Sequence, residues 1–182
     1  MDPLEILQKY YYPNTKTYEY LVTHSKMVAR KALSVAEKVK HLNPDMEFIE
    51  QAALLHDIGV YKVNAHRIGC IGPMEYVAHG YLGREILEAE GYPRHALVCE
   101  RHVGLGISLA DIEKFDLPLP KREMVPESIE EQIVCYADKF FTKHPTKLKD
   151  EMPLEKVRKT VAKYGEEQVA RFEDWHAKFG CE

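Results

Sequence analysis

Apolar residues recur at helical spacing through most of this chain. Leu21, Val28, Ala32, Val35 and Val39 mark one face of a long helix, and Ile49, Ala52 and Ala53 mark another. Leu82 with Ile86, Val98 with Cys99, and Val134 with Phe141 continue the pattern downstream. Strand-like alternation gives no convincing strand pair. Start and stop signals divide the pattern into elements. A short helix is predicted over 3–10, ended by Tyr10-Tyr11-Tyr12-Pro13-Asn14. Thr15 or Thr17 caps a second helix reaching about residue 41. Asp45 caps a third that ends near Asp57, with Gly59 just beyond as a helix-ending residue. A loop is expected over 58–73, then helices over 74–90 and from 93 to about 104. The stretch 104–126 reads as irregular apart from a turn of helix at 108–113. A sixth helix covers 127–142, and a seventh runs from 153 past Gly165 to 179. The expected class is all-α, a bundle of six to seven helices with two long loops.

Polar residues interrupt the apolar stripes at matching depths. His24 fills the gap between Leu21 and Val28, and His56 continues the stripe of Ala52 and Ala53, with Asp57 beside it. His79 stands between Tyr76 and Leu82, His102 follows Cys99, and Asp138 lies between Val134 and Phe141. One inward histidine is ordinarily satisfied by a backbone carbonyl, and one inward aspartate is ordinarily a cap or half of an ion pair. Here four imidazoles and two carboxylates converge from five helices. Burying unpaired carboxylates is costly, and no inward lysine or arginine obviously balances these two. A metal centre accounts for the set together. Imidazole and carboxylate without thiolate suit Fe, Mn, Co, Ni or Zn.

Composition narrows the partners. At 182 residues, a single domain over 1–182 is expected, with the chemistry in a core of about 20–142 and a helical extension over 153–180. The net charge of -4 gives no reason to expect long nucleic acid or an anionic membrane. A small anionic substrate remains compatible, because a metal supplies local positive charge. Cys70, Cys99, Cys135 and Cys181 form no C-x-x-C pair and read as reduced thiols of a cytoplasmic protein. The first residues lack the basic-then-apolar order of a signal peptide.

The motif residues resemble a known family. His24, then Ala53-Leu54-Leu55-His56-Asp57-Ile58-Gly59, then Ala137-Asp138-Lys139 are similar to the H…HD…D pattern of HD-domain phosphohydrolases. His79 and His102 resemble the two extra histidines of the dinuclear branch, which includes HD-GYP phosphodiesterases and diadenosine-tetraphosphate hydrolases. Gly91-Tyr92-Pro93 spells the Gly-Tyr-Pro letters but precedes helix five, away from the ligand positions, and reads as a helix-ending turn. The resemblance implies that His24, His56, Asp57 and Asp138 hold one ion. It implies that Asp57 bridges to a second ion, held also by His79 and His102. Two such ions can generate hydroxide, orient a phosphorus atom and absorb charge on the leaving oxygen.

The implied activity is hydrolysis of a phosphoester or phosphoanhydride of a nucleotide or other small phosphorylated metabolite. His56 and Asp57 serve the metal-activated water, and Arg67 and Lys139 are candidate phosphate contacts. Lys139 is adjacent to an inward residue and so points about 100° away along a helix; Arg101 is placed similarly. Lys121-Arg122 reads as a solvated pair, and His41, His144 and His176 as surface residues. His95 is too far from His102 to share its ion. The same ligands would also suit a di-iron oxygenase or a non-catalytic nucleotide sensor. Helix seven packs on the domain, with a homodimer contact as its second reading.

Overall fold

The computed structural model describes residues 1–180, so Cys181 lies outside the described residues. Nine α-helices appear among them. These are α1 (Pro3–Gln8), α2 (Lys16–Lys38), α3 (Met46–Leu55), α4 (His79–Ala89), α5 (Pro93–Arg101), α6 (Leu109–Lys114), α7 (Ile129–Asp138), α8 (Leu154–Val161) and α9 (Glu166–Phe179). The all-α expectation holds. Among the described residues no helix is long and apolar enough to cross a membrane.

The helix starts follow local side-chain chemistry. Thr15 accepts from Tyr18 N–H at 3.2 Å and caps α2, and Asp45 accepts from Phe48 N–H at 3.0 Å and caps α3. Ser128 caps α7 in the same way, and Ser108 with Asp111 forms a capping box at α6. The stripe on α2 is buried along its length, with Val28 and Ala32 at 0% exposure. It meets α3, α5 and α7 in an apolar cluster that α8 and α9 close with Val157, Phe172 and Phe179. A second cluster joins Ile6 and Leu7 of α1 to Leu87 of α4 and Ala96 of α5.

Several boundaries differ from the sequence reading. The long seventh helix is two helices, because Gly165 takes a φ of 120° that a side-chain-bearing residue rarely adopts. Helix α4 starts at His79 rather than near 74, after a short 3-10 turn over Tyr76–Ala78. The loop after the dyad contains a two-strand hairpin, with Asn64 opposite Ile71 and Ala65 opposite Cys70. Each strand has two residues, too few for a periodic signal.

Gly59 does not end α3 through a left-handed conformation. It sits in a 3-10 turn over Ile58–Lys62. A β-carbon there would stand 2.2 Å from the carbonyl oxygen of His79 and 2.5 Å from the amide of Gly83. Glycine therefore lets the chain leaving His56-Asp57 touch the backbone of the helix that carries His79.

Candidate metal centre

Five elements deliver the inward polar residues. His24 lies two turns into α2, His56 caps the C-terminal end of α3 with Asp57 next, and His79 opens α4. His102 caps the end of α5, and Asp138 is the last residue of α7. All six are buried. The ends of α3 and α5 turn their carbonyl-terminal dipoles toward this point, which favours positive charge there.

Asp57 stands between two groups of donors. Its Oδ2 lies 3.4 Å from His24 Nε2 and 3.1 Å from His56 Nε2. Asp138 Oδ1 joins that side, 3.1 Å from His24 Nε2 and 3.5 Å from His56 Nε2. The other oxygen of Asp57, Oδ1, lies 3.4 Å from His79 Nε2 and 3.5 Å from His102 Nε2. His79 Nε2 and His102 Nε2 are 3.1 Å apart.

The second ring nitrogens fix the tautomers. His56, His79 and His102 each donate Nδ1–H to a carbonyl, that of Ala53 at 2.7 Å, Tyr76 at 2.6 Å and Cys99 at 2.7 Å. A carbonyl only accepts, so in the neutral ring Nδ1 carries the hydrogen and Nε2 keeps a lone pair aimed at Asp57. Histidines that hold metals are oriented in this way. His24 differs: its Nδ1 is buried without a partner.

Charge in the centre is divided unevenly. Burial resists ionising Asp57, but His56 and Lys143 outweigh it and hold the carboxyl well below its ordinary range. Asp138 is held down likewise, against burial, by Lys139 and His24. Burial also resists charging His56, yet Asp57 and Asp138 raise it to about 9. Burial lowers His24 to about 4 and His79 to about 3, and it lowers His102 as well.

The expectation that no lysine balances the carboxylates is overturned. Lys143 Nζ lies 2.6 Å from Asp57 Oδ2, and Lys139 Nζ lies 2.8 Å from Asp138 Oδ2. Helix α7 stops at Asp138, short of the expected 142, and the chain curls back. Rotation per helical residue therefore misplaces Lys139, which reaches the carbonyl of His102 at 3.2 Å as well. Lys143 escaped the sequence reading altogether, because it follows the helix in a segment with no periodicity to orient it.

Charge balance alone therefore does not require an ion, and the fit must be tested on the lone pairs. His79 Nε2 and His102 Nε2 face each other at 3.1 Å as two acceptors. Asp57 Oδ2 is paired with Lys143 at 2.6 Å, but Oδ1 faces the same two nitrogens and receives no hydrogen bond. Each buried polar group left in this state costs about 1–3 kcal/mol. Divalent cations would satisfy all of them. His24, His56 and Asp138 present donor atoms within 4.8 Å of one another, and so do His56, Asp57 and His102. The residues fit a divalent metal of the borderline class.

Other sequence candidates fall into three groups. Arg67 is exposed and lines a cavity of about 450 Å³ together with Asp138, Lys143 and His144. Arg101 is not at the centre; it pairs with Glu131 at 2.9 Å and Glu127 at 3.2 Å. Arg122 is exposed, as expected of a solvated residue, but its guanidinium also binds the buried carboxylate of Glu100. His176 accepts or donates a 2.8 Å hydrogen bond with Tyr136 and is partly buried, while His41 and His144 are exposed as expected. His95 contacts Gln51 and stands apart from the centre.

Residues 21–143 match the HD domain family model, and the chain belongs to the HD domain family. The match includes Asp57 and the five inward residues around it, and stops before α8. The chain is 32% identical over 169 residues to a tRNA (cytidine(56)-2'-O)-methyltransferase of Thermoplasma volcanium, covering 92% of this chain and 44% of that protein. It is 35% identical over 123 residues to an uncharacterized protein of Methanocaldococcus jannaschii, covering 66% of this chain and 65% of the other. A tRNA (cytidine(56)-2'-O)-methyltransferase of Picrophilus torridus matches at 32% over 121 residues, 31% of its length. The chain thus spans less than two thirds of each of these relatives. No solved structure matches.

Proposed function

We propose that this chain is a metal-dependent phosphohydrolase acting on a nucleotide or another small phosphorylated metabolite. The reading rests above all on the two-sided setting of Asp57, with one oxygen toward His24 and His56 and the other toward His79 and His102. That arrangement suits two divalent ions of the Fe, Mn, Co, Ni or Zn group. His24, His56, Asp57 and Asp138 would hold one, and Asp57, His79 and His102 the other. When bound, such ions lower the pKa of a coordinated water and neutralise charge on phosphoryl oxygens.

The chain's own residues would do the rest. The Nδ1–H bonds of His56, His79 and His102 hold their rings in place before substrate arrives. Lys143, paired with Asp57 and on the cavity wall, would meet a phosphoryl oxygen. Arg67 and His144 line the same cavity and add basic character at its mouth. Lys139 is better suited to orienting Asp138 than to touching substrate, given its bonds to Asp138 and to the His102 carbonyl. A serine or cysteine nucleophile is not needed.

The methyl transfer named for two of the relatives belongs, on this reading, to the part of those proteins outside the shared segment. The chain spans only 44% and 31% of them. The test is phosphate release from a panel of nucleotides and phosphate esters with Mn, Fe, Co, Ni and Zn. Metal-dependent turnover is expected. A metal-loaded chain that releases nothing across the panel would remove the reading.

A further inference from the structure

A larger cavity opens beside the one that Lys143 lines. It measures about 770 Å³, within the range of small-molecule sites. Arg67, Asp138 and His144 stand on the wall of both cavities. The charge of the larger one is one-sided. Arg67, Lys139, Lys147, Lys156 and Lys163 line it, and Asp138 is the one carboxylate among its described lining residues. Lys139 already answers Asp138 at 2.8 Å. The chain as a whole carries a net charge of -4, so this concentration of cations runs against its overall balance.

Helix α8 builds one side of it. Lys156, Thr160 and Lys163 recur at helical spacing along α8 and the 3-10 turn after it, and all three line the cavity. Val157 and Val161 are buried in the core cluster and fix the helix in place. Arg158 is drawn away, its guanidinium donating twice to Glu173 of α9 at 2.7 Å. Lys147 comes from the turn before α8. Lys147, Lys156 and Lys163 are exposed and have no ion-pair partner among the described residues. A lysine ammonium is a compact charge with three donors, suited to phosphate oxygens. All three lysines lie outside the matched family segment of 21–143.

We propose that the substrate carries a second phosphate group, which is not attacked and which rests on Lys147, Lys156 and Lys163 while the first lies at Asp57. The proposal rests on the phosphohydrolase reading for the place of the first phosphate. A substrate with a single phosphate would leave the lysine wall unanswered. A second phosphomonoester brings about 1.5–2 negative charges and three acceptor oxygens to it. An oligophosphate chain and two phosphates on one sugar present the same chemistry to these lysines.

The test compares adenosine 5′-monophosphate, adenosine 5′-diphosphate and adenosine 3′,5′-bisphosphate as substrates of the metal-loaded full chain, by phosphate release. At least one of the two-phosphate compounds is expected to show a KM about tenfold lower than the monophosphate, a difference of ~1.4 kcal/mol. A preference for the diphosphate assigns the second phosphate to a chain, and a preference for the bisphosphate assigns it to the sugar. The combined variant Lys147→Gln, Lys156→Gln, Lys163→Gln changes exposed residues alone. It should erase the preference and leave kcat/KM for the monophosphate at the native value. Equal KM values for all three compounds, or a preference that survives in the combined variant, would overturn the proposal. Should none of the three release phosphate, they are titrated into the same chain and followed by calorimetry. The same preference in affinity, lost in the combined variant, is then expected, and equal affinities overturn the proposal. Failure of hydrolysis and failure of the lysine site are thereby read separately.

Discussion

Helix α5 carries two buried polar clusters two residues apart, and they are built on opposite principles. At Glu100 every carboxylate oxygen is answered. Arg84 donates to Oε2 at 2.5 Å, and Arg122 donates to Oε1 through Nε at 2.8 Å and through a second nitrogen. At His102 the neighbouring Asp57 has one oxygen, Oδ2, paired with Lys143 at 2.6 Å, while Oδ1 faces the Nε2 atoms of His79 and His102 and receives no hydrogen bond. Both clusters are buried, with the Glu100 side chain at 0% and that of Asp57 at 1% exposure. Burial therefore does not distinguish the two clusters; the lone pairs left over around Asp57 Oδ1 do. The first cluster fastens the loop bearing Arg122 to α4 and α5. The second holds donor atoms ready for a cation.

Substitutions in the two clusters should fail in different ways. Asp57→Ala takes away the residue shared by both donor groups. Turnover is expected to fall on the order of 10³-fold or more, about 4 kcal/mol of transition-state stabilisation, with helical circular dichroism retained. Turnover within tenfold of the native chain would erase the distinction. Glu100→Gln should act on stability, not chemistry. Breaking a buried pair while its cationic partners stay costs about 3–5 kcal/mol, read as a lower midpoint in urea, with kcat of the folded chain close to native. Loss of kcat at unchanged stability would place Glu100 in the chemistry.

Metal removal sharpens the contrast further. An ion present at a hundredfold excess over its Kd adds about 2.7 kcal/mol to stability. Chelation should therefore lower the thermal midpoint of the native chain and of Glu100→Gln, but not that of Asp57→Ala. Identical shifts in all three would mean that the ion binds elsewhere. The smallest effect concerns the contact that joins the dyad to α4. Gly59→Ala forces a methyl group against the backbone of His79 and Gly83, an overpacking cost of about 1–3 kcal/mol. A few degrees of lost thermal midpoint, with weaker metal retention, is the expected reading; a native midpoint would show that the contact is slack.

What was legible in the sequence was whatever a helix repeats. The α2 stripe, the inward places of His24, His56, His79, His102 and Asp138, and the caps Thr15 and Asp45 all follow from local spacing and short-range hydrogen bonding. The family pattern rests on the same positions. Legibility ended where the helices did. Lys143 lies past the last turn of α7, where no periodicity assigns a direction, and it still reaches Asp57. The pairing of Arg122 with Glu100 joins a loop to a helix across 22 residues, and that of Gln168 with Gly106 spans 62. Such contacts are set by tertiary packing. Gly59 was read as a helix stop because a lone sequence does not reveal that another backbone presses on it.

The central claim is that the unanswered donors around Asp57 are metal ligands. Metal content per chain, measured by inductively coupled plasma mass spectrometry after loading with Mn²⁺ and desalting, tests it directly. The native chain should retain close to two ions, and a folded Asp57→Ala chain close to none. A native chain that retains no ion, or equal content in the two, would contradict the claim.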